Sequence, residues 1–256
     1  MKGTEGVKVD LSIDFDFFVR EEGVWDWGHK ESTFFLNDIW PIRSLAMDIE
    51  KETDLKYADF DPITILPHLK DKGLKLDGRT KLWLCESHAG MIHIPNLTGN
   101  LIMMDAHHDL WGTRFRDDNY IETADIGCGN WLSYLIQEGR VKNATLVFPG
   151  WQEQSMIEDA VKRNKNGSVV RWQDFVGGNY VVANVFVCRS GCWVPPHHDE
   201  KLKLMLCFLM YKIKKVVQLG DIDILQPRQV KYCSEQERKN WKDRLMADRR
   251  VDVVSK

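Results

Sequence analysis

Short, almost continuously apolar runs recur along this chain, and longer stretches of helical period separate them. VKVDLSID (centred on 8–14), KLWLCES (81–87), LIMMDA (101–106), ATLVFPG (144–150), NVFVCRS (184–190) and VVQLGDIDIL (216–225) read as strands. Near-continuous apolarity, in place of strict alternation, marks strands covered on both faces. Helix candidates fill the gaps at 37–52, 130–140, 152–164 and 199–215. A last, basic helix opens at Ser234, where Glu237 completes a capping box, and covers 234–250. Strands that alternate with helices at this spacing need crossover connections, so the expected fold class is α/β with a mainly parallel sheet. No Pro/Gly/Ser-rich linker and no internal repeat divides the chain, and 1–256 reads as a single domain.

Hydrophobic residues at 43% and charged residues at 29% supply a sizeable core and exclude wholesale disorder. A net charge of −3 argues against a nucleic-acid partner gripped by the whole surface. No apolar stretch approaches the roughly 18 residues that a membrane span needs. The amino terminus, MKGTEGVKVD, lacks the apolar centre of a secretion signal, and the expected location is cytoplasmic. The six cysteines fit that compartment: none forms a C-x-x-C pair, and three lie inside apolar runs as expected for buried, reduced thiols.

Chemistry concentrates where strands end, which is where ligands bind in a parallel sheet. After LIMM come Asp105, Ala106, His107, His108 and Asp109; after KLWLC come Glu86, Ser87 and His88; after VDLSI come Asp14, Phe15, Asp16 and Phe17. In an extended segment Asp105, His107 and Asp109 point to one side, as do Asp14 and Asp16, while Phe15 and Phe17 face the core. Several acceptors packed together repel one another unless a cation neutralises them. A divalent ion is the expected neutraliser. His108 has the opposite parity and reads as packing, and His88 draws its weight from its neighbours.

Together these blocks resemble the arginase-like hydrolases of the arginase–deacetylase fold. Asp105-Ala106-His107-His108-Asp109 is similar to that family's D-A-H-x-D block and Ser12-Ile13-Asp14-Phe15-Asp16 to its S-x-D-x-D block. Glu86-Ser87-His88 matches its G-D-H block more loosely. The joint pattern looks closest to a divergent branch containing peptide arginases, which convert arginine residues of precursor peptides to ornithine. The resemblance implies a three-layer sandwich and two Mn²⁺ per chain. It implies His88, Asp105, Asp109 and Asp14 on one ion and His107 and Asp16 on the other, with Asp105 and Asp14 bridging. It further implies Asp109 and His107 as catalytic residues and an arginine-containing precursor peptide as partner. The family's substrate also needs a carboxylate for its guanidinium, for which Glu86, Asp221 and Asp223 are candidates.

Two departures from the family pattern bear on the site. The S-x-D-x-D block comes first in the chain, at 12–16, which implies a circular permutation; the rival assignment gives this block to Gly220-Asp221-Ile222-Asp223. The aromatic flanks and the serine favour 12–16. No D-P follows the block, so the ordinary loop for free arginine is not expected, and a peptide arginine is preferred. A mononuclear zinc amidohydrolase of the same fold, or a metal-binding scaffold without turnover, are the competing readings.

Softer features complete the inventory. Trp25 and Trp27 are placed either to line a peptide groove or to anchor a loop, Arg189 is expected in a structural ion pair, and His93 and His108 are alternative proton shuttles. His197 and His198 are read as neighbours of a helix cap. From Gln226 onward nine Lys/Arg face five Asp/Glu, a solvated face or, as the competing reading, an oligomer or peptide-docking surface.

Overall fold

The computed structural model describes residues 6–20, 36, 39–46, 48–49, 55, 58–111 and 126–243. Seven strands form one sheet: β1 (Val7–Asp14), β2 (Leu74–Cys85), β3 (Asn100–Met104), β4 (Asn143–Phe148), β5 (Gly167–Arg171), β6 (Tyr180–Cys188) and β7 (Lys215–Gln218). Their order is β5-β4-β3-β1-β6-β2-β7, and every neighbouring pair is parallel. The helices are α1 (Ile39–Ala46), α2 (Ile65–Asp71), α3 (Trp131–Gln137), α4 (Gln154–Arg163) and α5 (Asp199–Lys212). This is the α/β class the alternation predicts.

Two cores lie on opposite faces of the sheet, which makes the fold a three-layer sandwich. The pleat sends Val9, Leu11 and Ile13 of β1 into one core with Leu82, Leu84, Val185 and Val187, against α2 and α5. Trp83, Met103, Leu146 and Phe186 enter the other core, against Trp131, Leu132 and Leu135 of α3. Each such side chain, fully buried, contributes about 1.5–3 kcal/mol. Phe15 and Phe17 are buried in the first core, as their parity predicts.

Several boundaries differ from the sequence reading for local reasons. Strand β5 is unmarked in sequence because GSVVR is a half-buried edge strand with little apolar content. Helix α2 is short and carries Pro67, which hides its period. Strand β2 begins at Leu74, seven residues early, because a register break between Leu76 and Lys81 accommodates the polar Asp77–Thr80 turn. Strand β7 stops at Gln218, since Gly220 turns the chain with φ +75° and the Gln218 amide donates to the Ile222 carbonyl.

Helical structure extends over 235–243, and the Ser234 N–H donates to Glu237 at 2.7 Å in the expected capping box. The stretch 244–250, the ends of the expected helix over 37–52, and Trp25 and Trp27 lie outside the described residues. No described helix is long and apolar enough to cross a membrane.

Candidate metal centre

The carboxyl ends of β1, β2, β3 and β6 meet in the middle of the sheet, and each delivers polar side chains there. Strand β1 ends at Asp14, whose Oδ1 accepts the Asp16 N–H at 3.0 Å and starts a 3₁₀ turn over Phe15–Phe18. After β3, Asp105 Oδ1 accepts the His107 N–H at 2.7 Å. Asp109 then takes up φ +50°, a left-handed conformation that aspartate tolerates better than most residues. The acids and imidazoles therefore converge through tight turns, and not by the simple alternation of an extended strand.

Their geometry is specific. His88 Nδ1 lies 2.8 Å from Asp105 Oδ2, 3.1 Å from Asp109 Oδ2 and 3.2 Å from Asp14 Oδ2. Despite those distances, His88 Nδ1 and Asp105 Oδ2 have no hydrogen-bond partner of acceptable angle. A buried nitrogen facing three carboxylate oxygens without bonding any of them fits a cation better than a hydrogen-bond network. A second set adjoins the first: His107 Nδ1 is 2.9 Å from Asp16 Oδ2, and Asp16, Asp105 and His107 bring donor atoms within 4.8 Å of one another. His88, Asp105 and Asp109 do the same, so Asp105 belongs to both sets.

Supporting contacts fix this arrangement. His88 Nε2 lies 2.6 Å from Ser12 Oγ, and with a cation on Nδ1 it would be the nitrogen that donates there. The His88 ring stacks on Phe186 and leans on Trp131, while the Trp131 indole donates to Asp109 Oδ2. Such partners orient ligands, and losing one costs 10- to 100-fold in metal affinity as an order of magnitude. Ser12→Ala should therefore weaken divalent-metal binding by roughly that factor, read by calorimetric titration, with the sheet intact.

The electrostatics are those of buried carboxylates that repel one another. Burial, followed by the charges of Asp16, Asp109 and Asp14, raises the Asp105 carboxyl well above its ordinary value. Burial and then the Asp14 charge push Asp16 up to about 6. Burial also disfavours the Asp14 charge, but the His88 imidazole beside it, helped by the Asp16 N–H and the Cys188 thiol, outweighs it and holds Asp14 low. For His88, burial opposes protonation, yet the surrounding Asp105, Asp109 and Asp14 raise the imidazole well above its usual range.

The remaining candidates lie elsewhere. Asp221 and Asp223 are exposed beyond β7 and do not join the cluster, and Asp223 Oδ1 caps the Leu225 N–H at 2.9 Å. Glu86 is committed to an internal guanidinium: Oε2 accepts from Arg189 Nε at 2.7 Å, and Oε1 from the Gly191 N–H at 3.0 Å. A Cβ on Gly191 would meet that Oε1 at 2.0 Å, so only glycine fits there. Arg189 also reaches Asp199 at 3.4 Å, which itself holds Arg228 at 2.6 Å. This is the structural role expected of Arg189. Glu86→Ala leaves a buried guanidinium short of its closest partner and should cost about 3–5 kcal/mol of stability, measurable by chemical denaturation.

His108 turns away from the cluster, accepting the Leu110 N–H on Nδ1 and meeting Asp159 at 3.0 Å through Nε2. His93 is exposed. His197 meets the Tyr232 hydroxyl at 2.9 Å, and neither it nor His198 caps α5 through its side chain. No disulfide joins any of the six cysteines; of the three in apolar runs Cys85 and Cys188 are buried, but Cys207 is exposed on α5.

Two residues at the site went unread in sequence. Cys188, the last residue of β6, and Ser190 place Sγ and Oγ at 3.1 and 2.9 Å from Asp14 Oδ2. The signal for them was the polar Cys-Arg-Ser at the end of an apolar strand. Trp193 follows and packs on His107 with ring centroids 4.7 Å apart, and the Trp111 ring centroid is 6.0 Å from the same imidazole. A cavity of about 160 Å³ beside this region is lined by Cys85, Glu86, Ser87, Gly191 and Asp221. A larger one, about 670 Å³, is bordered by Asp48, His197, Arg228 and Tyr232, and neither cavity is lined by a residue of the cluster. The buried Asp and His groups can hold metal ions. No known protein family, curated protein or solved structure matches this chain.

Proposed function

We propose that this chain is an arginase-like metallohydrolase that takes two Mn²⁺ and converts arginine residues of a peptide to ornithine with release of urea. The observation that carries this reading is the bare His88 Nδ1 facing Asp14, Asp105 and Asp109, with the Asp16–His107 pair sharing Asp105 on its far side. His88, Asp14, Asp105 and Asp109 would hold one ion, and His107 and Asp16, with Asp105 and Asp14 shared, the other. Oxygen and imidazole donors suit Mn²⁺. Divalent ions bound there supply Lewis acidity, making water acidic enough to react at neutral pH and neutralising charge on a planar carbon under attack.

The chain's own residues then orient the reactants. Trp131 holds Asp109 by its Oδ2, leaving Oδ1 as the acceptor that lines up the attacking water. His107, backed by Asp16, has the rings of Trp111 and Trp193 close by, aromatic surface that would suit a peptide. Glu86 is occupied by Arg189, so of the expected carboxylates Asp221, which lines a cavity together with Glu86 and Ser87, would be the one to receive the substrate guanidinium.

The test is mass spectrometry of an arginine-containing peptide incubated with Mn²⁺-loaded protein. Hydrolysis of a guanidino group removes about 42 Da per arginine. That loss, with urea in solution, is the expected result. An unchanged peptide with urea formed from free arginine would remove the peptide from the account, and neither product would remove the hydrolase.

A further inference from the structure

One of three adjoining donor sets among the described residues differs from the others in atom type. Around Asp14 and His88 the third donor is a sulfur: Cys188 Sγ, fully buried, lies with an Asp14 carboxylate oxygen and a His88 ring nitrogen so that all are within 4.8 Å of one another. Around Asp105, Asp16 and His107 the donors are oxygen and nitrogen. A thiol next to a carboxylate need be no more than a hydrogen-bond donor. Here, however, Asp14 Oδ2 already receives the Ser190 hydroxyl at 2.9 Å, and a thiol is the weaker donor of the two.

Independently of the sulfur, His88 Nδ1, 1% exposed and without a hydrogen-bond partner, is aimed into the same space. The backbone fixes the sulfur there, because Cys188 is in register with Asp14 on one side and Cys85 on the other.

We infer that Cys188 is a metal ligand, and that the two ion positions are chemically distinct. The Asp14–His88–Cys188 position would then take a thiophilic divalent ion such as Zn²⁺ in place of one of the two Mn²⁺ proposed above, while the Asp16–Asp105–His107 position takes the harder ion. Soft thiolate donors select zinc-like ions, whereas carboxylates suit Mn²⁺. This rests on the cluster being a metal centre but not on arginine being the substrate.

The experiment is X-ray absorption at the zinc edge on full-length protein loaded with one equivalent of Zn²⁺, alongside Cys188→Ser. The expected result is a sulfur scatterer at about 2.3 Å in the wild type that vanishes in the variant. The variant should also discriminate Zn²⁺ from Mn²⁺ at least about tenfold less well in competition dialysis.

Zinc retained with oxygen and nitrogen scatterers alone would overturn the inference and leave the metal centre standing, as would a sulfur shell that persists in Cys188→Ser. Failure to retain any ion would overturn both. Should the variant not fold, Co²⁺ added to the wild type decides the matter. A sulfur-to-metal charge-transfer band growing with the first equivalent supports the ligand, and visible cobalt bands without it overturn the ligand.

Discussion

Asp105→Asn should lose metal from both positions and about a thousandfold or more of turnover, while the metal-free protein becomes more stable. Asp105 is the carboxylate common to the Asp16–Asp105–His107 and His88–Asp105–Asp109 sets, so a neutral amide there removes a charged donor beside both His88 and His107. Lewis-acid assistance contributes several kcal/mol to such reactions, and about 1.4 kcal/mol is a factor of ten in rate. The stability change has the opposite sign. Asp105 is fully buried among Asp14, Asp16 and Asp109, and its carboxyl is raised well above its ordinary value, so its charge opposes folding when no cation is present. An amide of the same shape removes that repulsion and keeps the acceptor for the His107 N–H. A gain of roughly 1–3 kcal/mol in the metal-free melt, with no metal retained on dialysis, is the joint result expected. A variant that keeps both ions would contradict the shared role.

Stripping the metal should make stability strongly dependent on pH. The raised carboxyls of Asp16 and Asp105 favour the protonated folded state. Their stabilisation is complete below the ordinary aspartate value near 3.8 and is lost as pH rises through about 6 for Asp16 and through the raised value of Asp105. His88, also raised, has the same sign: its contribution is present below 6.5 and fades above its raised value. Asp14 is lowered and works the other way, losing its contribution only in strong acid.

Between pH 4 and 7 the carboxyl losses dominate. For Asp16 alone the shift corresponds to roughly 3 kcal/mol, or about 10 °C in a domain of this size. The chelator-treated protein should therefore melt lower at pH 7.5 than at pH 5. Bound cations remove the repulsion, so Mn²⁺ should raise the melting temperature far more at pH 7.5 than at pH 5. Equal shifts at both pH values, in calorimetry, would disprove the coupling.

How far the sequence speaks depends on which residues carry charge. The strands that end in Asp14 and Asp105 announce themselves because carboxylates directly after apolar runs are conspicuous. Strand β6 contributes as much to the same site, through Cys188 and Ser190, but both side chains are neutral and small and look like core. Trp131 behaves likewise: it reads as the apolar start of a helix, although its N–H holds Asp109. The convergence of Asp105, His107 and Asp109 is legible, whereas the turn geometry that produces it, with Asp109 left-handed, is not.

Glu86 shows the opposite limit. Its position at a strand end made it a candidate for a substrate guanidinium, and only tertiary contacts reveal Arg189 in that place. For the fold, the buried parallel strands are visible because both faces are covered. The edge strand β5, half exposed, has no such pattern.

The measurement that bears most directly on the central claim is metal stoichiometry, by elemental analysis of the full chain equilibrated with Mn²⁺ and Zn²⁺ and then dialysed. Two ions per chain in the wild type, falling below one in Asp105→Asn, is the result expected of Asp14, Asp16, His88, Asp105, His107 and Asp109 acting as a binuclear centre. A chain that retains no ion, with these buried carboxyls protonated instead, would contradict it.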